Sequence, residues 1–332
     1  NILSYHVEAF EDYFSGRAFI DRITLRFYPD EEALVDAFNH QEVTGIYSIT
    51  NRHVADLSQK RHPLLREMAL PRLFAVFLNT NKSVALAYDE VRQALSLSTD
   101  REMILDKVLA KKALAATGPI LPFMFGFVAS ENPPFQMDEA NALLDKNGWQ
   151  RGEDGIRAKG GVPLRFSLST PDWPELVMTA DILKAEWRKI GADVEIKVLS
   201  QADLNQTVIR PREYEALLFG QGSMLDPDPY SFWHSSQKAD PGRNLAYFED
   251  KRVDELLLEA RETLDPGKRA ELYKEFQTII RREHPAIFLY SPAYLSVVSD
   301  KVQGFTLRSL NTPADRFGDV AKWYIETKRV KK

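Results

Sequence analysis

Residues 220–234 carry the densest chemistry in the chain: Gly220, Gln221, Gly222, Ser223, Asp226, Asp228, Tyr230, Phe232, Trp233 and His234. Glycines let backbone approach a ligand, carboxylates supply charge and aromatic rings supply apolar contact, which is the mixture a binding site needs. The competing reading is a turn whose acids bond local backbone and whose rings belong to the core. Gly220-x-Gly222 after an apolar run also matches half of a dinucleotide fingerprint. Leu225 stands where the third glycine belongs, however, and Asp226-Pro227-Asp228-Pro229 replaces the helix start, so a pyrophosphate would meet two carboxylates. An acid–base pair of Asp226 and Asp228 for glycoside hydrolysis is a further option, although residues two apart around a proline need not face each other. The histidines, His6, His40, His53, His62, His234 and His284, include no H-E-x-x-H or H-x-H arrangement; His234, near the two acids, is the metal candidate, against a plain loop histidine. No serine sits in G-x-S-x-G, and with no cysteine a thiolate nucleophile, a Cys-ligated zinc and a disulfide are all ruled out. The expectation is a chain with no catalytic residue, no metal and no cofactor.

The elements that must position this loop are legible nearby. Val162, Leu164, Phe166 and Leu168 alternate with polar residues as in a strand. Leu176, Ala180, Leu183, Trp187 and Ile190 then recur at helical spacing up to Gly191, and Val194, Ile196 and Val198 alternate again. Strand, helix, strand closes as a right-handed parallel unit. Ser200 with Asp203 reads as a capping box before Leu204 and Val208, Pro211 as a stop, and Tyr214–Phe219 as a nearly continuous apolar strand. In open parallel α/β sheets the loops leaving strand carboxyl ends line the ligand crevice, which singles out the segment after Phe219.

Elsewhere, Ile23, Leu25 and Phe27 suggest a half-buried strand ended by Pro29, with Asp30 capping a helix that carries Leu34, Ala37 and Phe38. Leu73–Leu78 reads as a strand, Val91, Ala94 and Leu95 as a helix, and Thr99 with Glu102 as a capping box. Asp138 is expected to cap Ala140–Asn147, closed by Gly148, and Thr117–Pro134, rich in proline and aromatics, to be a long loop. Asp250 and the Asp265-Pro266-Gly267 turn open two amphipathic helices, and Ile287–Tyr290 and Leu295–Val298 read as strands.

The chain's 332 residues, at about 150 per domain, suggest two domains, and 44% apolar content fills a core in each. A net charge of −5 supplies no basic field for nucleic acid. The longest apolar runs, such as Ala286–Tyr290, fall far short of the roughly 20 residues of a membrane helix. A start at Asn1 without a leader suggests a targeting segment removed or a longer parent, and Lys328–Lys332 a solvated basic end.

Several segments carry a resemblance: Phe27-Tyr28-Pro29-Asp30-Glu31, Phe77-Leu78-Asn79-Thr80, Val91-Arg92-Gln93-Ala94-Leu95 with Thr99-Asp100-Arg101, Gly118-Pro119-Ile120, and Asp226 through Ser236. In order and context these resemble the extracytoplasmic solute-binding proteins of peptide and nickel ABC importers, over about residues 1 to 327. The resemblance implies an α/β, two-lobed periplasmic-binding-protein-like fold of the peptide-binding class, with one lobe complete and the other partial. Residues 1–72 with 299–332 would form the partial first lobe, and 73–298 the second, carrying the ligand-facing loop 220–237. It implies capture of a peptide or peptide-like solute in an interlobe cleft and delivery to a membrane permease, by a monomeric, periplasmic or otherwise extracytoplasmic protein that is not an enzyme. A hydrolase using Asp226 and Asp228, or a sensor or scaffold on the same fold, are the alternatives. Expected ligand-binding residues are Phe219, Gly220, Gln221, Gly222, Ser223, Asp226, Tyr230 and Trp233. Phe219–Ser223 would pair with a peptide main chain.

Two departures from the family pattern matter. Peptide-binding members place an aspartate three residues before the D-P-D motif to hold the ligand's α-ammonium; here that position is Ser223. A carboxylate would give about 1.5–3 kcal/mol to an ammonium, a hydroxyl about 0.5–1.5 kcal/mol. The family's tryptophan three residues earlier is Gly220. Either the ligand lacks a free amino terminus or another acid, such as Asp226, takes the role; the expectation is binding without strict dependence on a free α-amine.

Overall fold

The computed structural model describes residues 3–57, 63–129 and 135–325; Lys328–Lys332 and the end of the Thr117–Pro134 stretch lie outside the described residues. The chain divides into two compact units, Asn1–Leu70 with Ala293–Lys332, and Pro71–Pro292.

In the larger unit, six strands form one sheet in the order Asp193–Leu199, Arg165–Pro171, Ala216–Gly222, Arg72–Leu78, Ala286–Pro292, Ala113–Ala115. The first three run parallel; the helix Pro174–Lys189 joins Arg165–Pro171 to Asp193–Leu199, and the helical segment Gln201–Ile209 leads on to Ala216–Gly222. Pro174–Lys189 opens on proline, whose fixed φ and missing N–H suit the first turn, and Gly191 beyond it takes φ +86°. The remaining pairings are antiparallel, so the sheet is mixed rather than wholly parallel as the strand–helix–strand pattern alone suggested. The reason is topological: Arg72–Leu78 enters from far upstream and inserts between Ala216–Gly222 and Ala286–Pro292, with no crossover helix to force a parallel direction.

Alternate residues of Arg72–Leu78 feed two separate cores. Phe74, Val76 and Leu78 join Leu86, Leu95 and Trp187 on one face, while Leu73, Ala75 and Phe77 join Trp233, Phe276 and Ile280 on the other. Burial on both faces explains why this strand reads as an uninterrupted apolar run. The expected Thr99 cap is corrected by one residue: Asp100 caps Arg101–Leu109, its Oδ1 accepting the Met103 N–H at 2.9 Å. Thr99 is buried, donates to the Leu95 carbonyl at 2.7 Å and accepts from Trp187 Nε1 at 3.1 Å. Burial of Ile104, Leu105 and Leu109 fixes that helix's rotation and leaves Thr99 facing inward. Likewise Asp138 lies in the first turn of Met137–Lys146, whose N-cap is Gln136.

Two arginines of the recognised segments are buried and serve carbonyls. Arg92 donates to Leu86, Ala87 and Glu283 carbonyls at 3.1 Å each, and Arg101 to the Phe288 carbonyl at 2.7 Å. The planar fork of Arg92 satisfies carbonyls at helix ends, and Arg101 reaches a carbonyl of the strand Ala286–Pro292. Burial pushes the Arg101 guanidinium down to about 10.

In the smaller unit, Tyr294–Ser299 is the middle strand between Gly45–Ile49 and Pro63–Met68. The sequence grouped this strand with the larger unit; antiparallel pairing on both edges ties it to the smaller one. Ser4–Glu8 pairs with Arg22–Arg26, and Asp30 caps Glu31–Asn39, which sets Val35 and Phe38 against Ile46, Ile49 and Val297. Asp319 gathers the last segment, accepting from the Thr306 hydroxyl at 2.8 Å and from Trp323 Nε1 at 2.7 Å.

His284 ends the helix Pro266–Glu283 at φ +48°. Burial, then the charges of Arg92 and Arg101, push its imidazole from 6.5 down to about 4. A histidine whose folded value lies below its unfolded one takes up a proton on unfolding. Its neutral form therefore supports stability fully above about pH 6.5 and progressively less as pH falls toward 4, by roughly 3 kcal/mol at most. Asparagine tolerates the left-handed backbone, so His284→Asn is expected to lose about 2 kcal/mol less than the parent between pH 7 and 4.5 in urea unfolding. Equal losses in both proteins would exclude this histidine as the acid-sensitive group.

Candidate functional site

The strand Ala216–Gly222 runs three residues beyond Phe219, where the apolar pattern stops. Seven residue pairs bind it antiparallel to Arg72–Leu78, from Ala216 opposite Leu78 to Gly222 opposite Arg72. At its two ends the Ser223 N–H donates to the Pro71 carbonyl and the Asn79 N–H to the Glu215 carbonyl, each at 2.8 Å. In an antiparallel ladder successive residues direct their N–H and C=O to opposite sides. Glu215, Leu217, Phe219, Gln221 and Ser223 therefore face Arg72–Leu78, and Ala216, Leu218, Gly220 and Gly222 face the other way.

On that other side Arg165–Pro171 is in register only at Leu168 with Ala216 and Ser169 with Leu217, after which the Thr170 hydroxyl donates to the Leu218 carbonyl at 3.3 Å. Past Leu218 no strand is registered to this side among the described residues. The two residues whose main-chain groups project there, Gly220 and Gly222, carry no side chain to block an approaching chain.

Gly220 has a second reason to be glycine. A Cβ at this position would lie 2.8 Å from the Phe74 ring, which covers it from the opposite strand and meets Tyr290 at 5.3 Å between centroids. The face that a tryptophan at 220 would use is thus occupied by Phe74, an ordinary apolar strand residue that no motif singles out.

Side chains of the strand and the following turn separate into two groups. Gln221, Ser223 and Trp233 wall a recess of about 10 Å³, together with Pro71, Leu73, Pro119, Leu121, Met124, Pro227, Pro229 and Phe232. Trp233 reaches it from the core: it is 2% exposed, with ring centroids of Phe77, Phe276 and Phe288 within 6.5 Å. Gln221 is 7% exposed, and its Nε2 has no hydrogen-bond partner among the described residues.

Asp226 and Tyr230 turn away from this group toward the helices Lys251–Glu262 and Pro266–Glu283. Arg269 Nη2 holds both Asp226 oxygens at 2.8 and 2.9 Å, and its guanidinium lies 4.3 Å from the centre of the Phe125 ring. Arg261 holds both Asp228 oxygens and lies 3.8 Å over Tyr230, which stacks on His234 at 4.2 Å. The hydrogen bond to Asp228 raises the Arg261 guanidinium further. Tyr273, its phenol pushed up to about 12 by burial, donates to the Pro227 carbonyl at 2.9 Å. Asp226-Pro227-Asp228-Pro229 is therefore a turn clamped by two arginines and a tyrosine, and its carboxylates address different helices rather than a shared substrate. His234 Nδ1 is engaged by Ser236, and no metal-holding group of His, Asp and Glu occurs among the described residues. A larger hollow of about 830 Å³ lies in the smaller unit, beside Phe27, Tyr47 and Trp323, and contains none of these residues.

The model of the bacterial extracellular solute-binding proteins, family 5 Middle, matches residues 4–243. The chain belongs to this family. This family 5 chain is 25% identical over 326 residues to the oligopeptide-binding protein AppA of Bacillus subtilis, covering 96% of the chain and 59% of AppA. With the dipeptide-binding protein of Escherichia coli it shares 24% identity over 308 residues, covering 91% of the chain and 56% of that protein. It thus spans somewhat under three-fifths of the length of those relatives. The fold is that of AppA from Bacillus subtilis in complex with a nonapeptide (TM-score 0.75, 22% identity, 98% of this chain and 64% of that one). It is also that of the ABC transporter substrate-binding protein CtaP from Listeria monocytogenes (TM-score 0.83, 22% identity, 97% and 64%). The two-lobed α/β class expected from the sequence holds, and the relatives lend no support to a hydrolase. Among the described residues no helix is long and apolar enough to cross a membrane.

The close approach of Phe74 makes a direct prediction. Gly220→Ala should destabilise the protein by about 1–3 kcal/mol through overpacking, and Phe74→Leu in the same chain should recover most of that loss. Additive losses in thermal unfolding would contradict the contact.

Proposed function

We propose that this chain is the solute-capturing part of an extracytoplasmic, monomeric ABC-importer binding protein that takes peptides or peptide-like solutes and passes them to a membrane permease without chemically changing them. The observation that carries the reading is the side of Gly220–Gly222 to which no strand is registered among the described residues. Main-chain donors and acceptors of two glycines, half-buried Gly220 and exposed Gly222, project there at the end of a strand held on its other side. An extended peptide satisfies such groups with its own backbone, and that contact tolerates any side-chain sequence. The names of the relatives, which bind oligopeptides and dipeptides, support the same class of solute. Phe219, Gly220, Gln221, Gly222 and Ser223 are the residues proposed to meet the solute, while Asp226, Tyr230 and Trp233 shape the turn and core behind them.

Gly222→Pro tests the role of the open side. By the alternation above, Gly222 gives no bond to Arg72–Leu78, and a Cβ there meets nothing within 4 Å, so proline deletes one outward N–H and spares the ladder. Isothermal titration with short peptides is expected to give at least tenfold weaker binding for Gly222→Pro, with a thermal midpoint within a few degrees of the parent. Unchanged affinity would remove this edge from the site, and release of peptide fragments in place of bound peptide would favour a hydrolase.

A further inference from the structure

Arg165–Pro171 is an inner strand, with Asp193–Leu199 on one side and Ala216–Gly222 on the other, and its pairing ends at different places on the two sides. Against Asp193–Leu199 the register runs unbroken from Arg165 to Pro171, and the Asp172 N–H still donates to the Leu199 carbonyl at 2.9 Å. Against Ala216–Gly222 it stops at Ser169 opposite Leu217. The helix that opens at Pro174 follows both pairings alike, so it does not explain a stop on one side only.

Alternation identifies the cause. Asp172 turns its N–H toward Asp193–Leu199, whereas the Ser167 N–H donates at 2.8 Å to Glu215 Oε2, beside the start of Ala216–Gly222. Ser167, Ser169 and Pro171 therefore face Ala216–Gly222 with their main-chain groups. By the register, Ser169 gives its N–H to the Ala216 carbonyl, and the next rung, two positions on, sets Pro171 against the Leu218 carbonyl. Pro171 is buried there and has no N–H to give. The Leu218 carbonyl takes the Thr170 hydroxyl instead, at 3.3 Å, longer than a usual hydroxyl bond to oxygen. Proline is normally confined to sheet edges, because inside a sheet it deletes a rung; here the deleted rung is the one that would carry the ladder on to Gly220.

We infer that Pro171 is the positioning residue that keeps the solute edge open: by withholding the N–H that the Leu218 carbonyl would accept, it stops the parallel ladder and leaves the outward main chain of Gly220 and Gly222 to the solute. The inference rests on the proposed function and names the residue that holds its edge available. Pro171 acts through the strand and touches no solute itself.

The test is Pro171→Ala, which restores the N–H, read by residue-resolved amide hydrogen exchange without ligand, isothermal titration with trialanine and thermal unfolding. The new amide at position 171 should exchange as slowly as that of Ser169, and the Gly220 amide, next in the alternation, should slow about tenfold. Trialanine should bind about tenfold more weakly, while the thermal midpoint stays within a few degrees of the parent or rises. A proline that served stability alone would give the opposite pattern, a lowered midpoint with the Gly220 amide no slower, and that result overturns the inference. A freely exchanging amide at position 171, or a closed ladder with unchanged trialanine affinity, overturns it as well and leaves peptide capture standing. Absence of heat when the parent meets trialanine overturns the capture reading and this inference with it.

Discussion

Antiparallel pairing obliges every second residue of a strand to turn its main-chain groups away from its partner, and in Ala216–Gly222 that obligation falls on Ala216, Leu218, Gly220 and Gly222. Arg165–Pro171 is registered to the first of them, reaches the Leu218 carbonyl through the Thr170 hydroxyl and then leaves the register. The sheet is thus complete on one side of this strand and open on the other over its last residues. Because seven pairs with Arg72–Leu78 fix the strand, the open groups are held in place without a ligand, and ordering them costs little when one arrives.

The residues that make the family recognisable and those that meet the proposed solute are largely different. Arg92 and Arg101 bond carbonyls inside the larger unit, and Asp226 and Asp228 anchor the turn to two helices through Arg269 and Arg261. Gln221 and Ser223 take no part in that clamp, while Gly220 is held to glycine by the Phe74 ring.

Much of this architecture is written locally. The strand–helix–strand run from Val162 to Val198, the Asp30, Asp250 and Asp265 caps and the Gly191 terminus depend on residues within a few positions of one another. The extension of the strand past Phe219 is not local, since Gly220, Gln221 and Gly222 have poor strand propensity and are held extended by the apolar strand Arg72–Leu78. The partners of Asp226 and Asp228 lie 43 and 33 positions further on, so spacing alone left a catalytic pair open where the structure has two separate clamps. Thr99 and Asp100 were separable only by the inward rotation that Ile104 and Leu109 impose. Phe74, Pro119 and Met124 join the site from other segments as ordinary apolar residues, and the one hint was the proline and aromatic content of the stretch after Thr117.

The central claim is that the outward main chain of Gly220 and Gly222 receives the solute, and residue-resolved amide hydrogen exchange tests it most directly. On addition of a binding peptide, the amides of Gly220 and Gly222 are predicted to slow together, while those of Phe219 and Gln221, already bonded to Arg72–Leu78, change little. Protection that appears elsewhere, with the two glycine amides exchanging as before, would contradict the account.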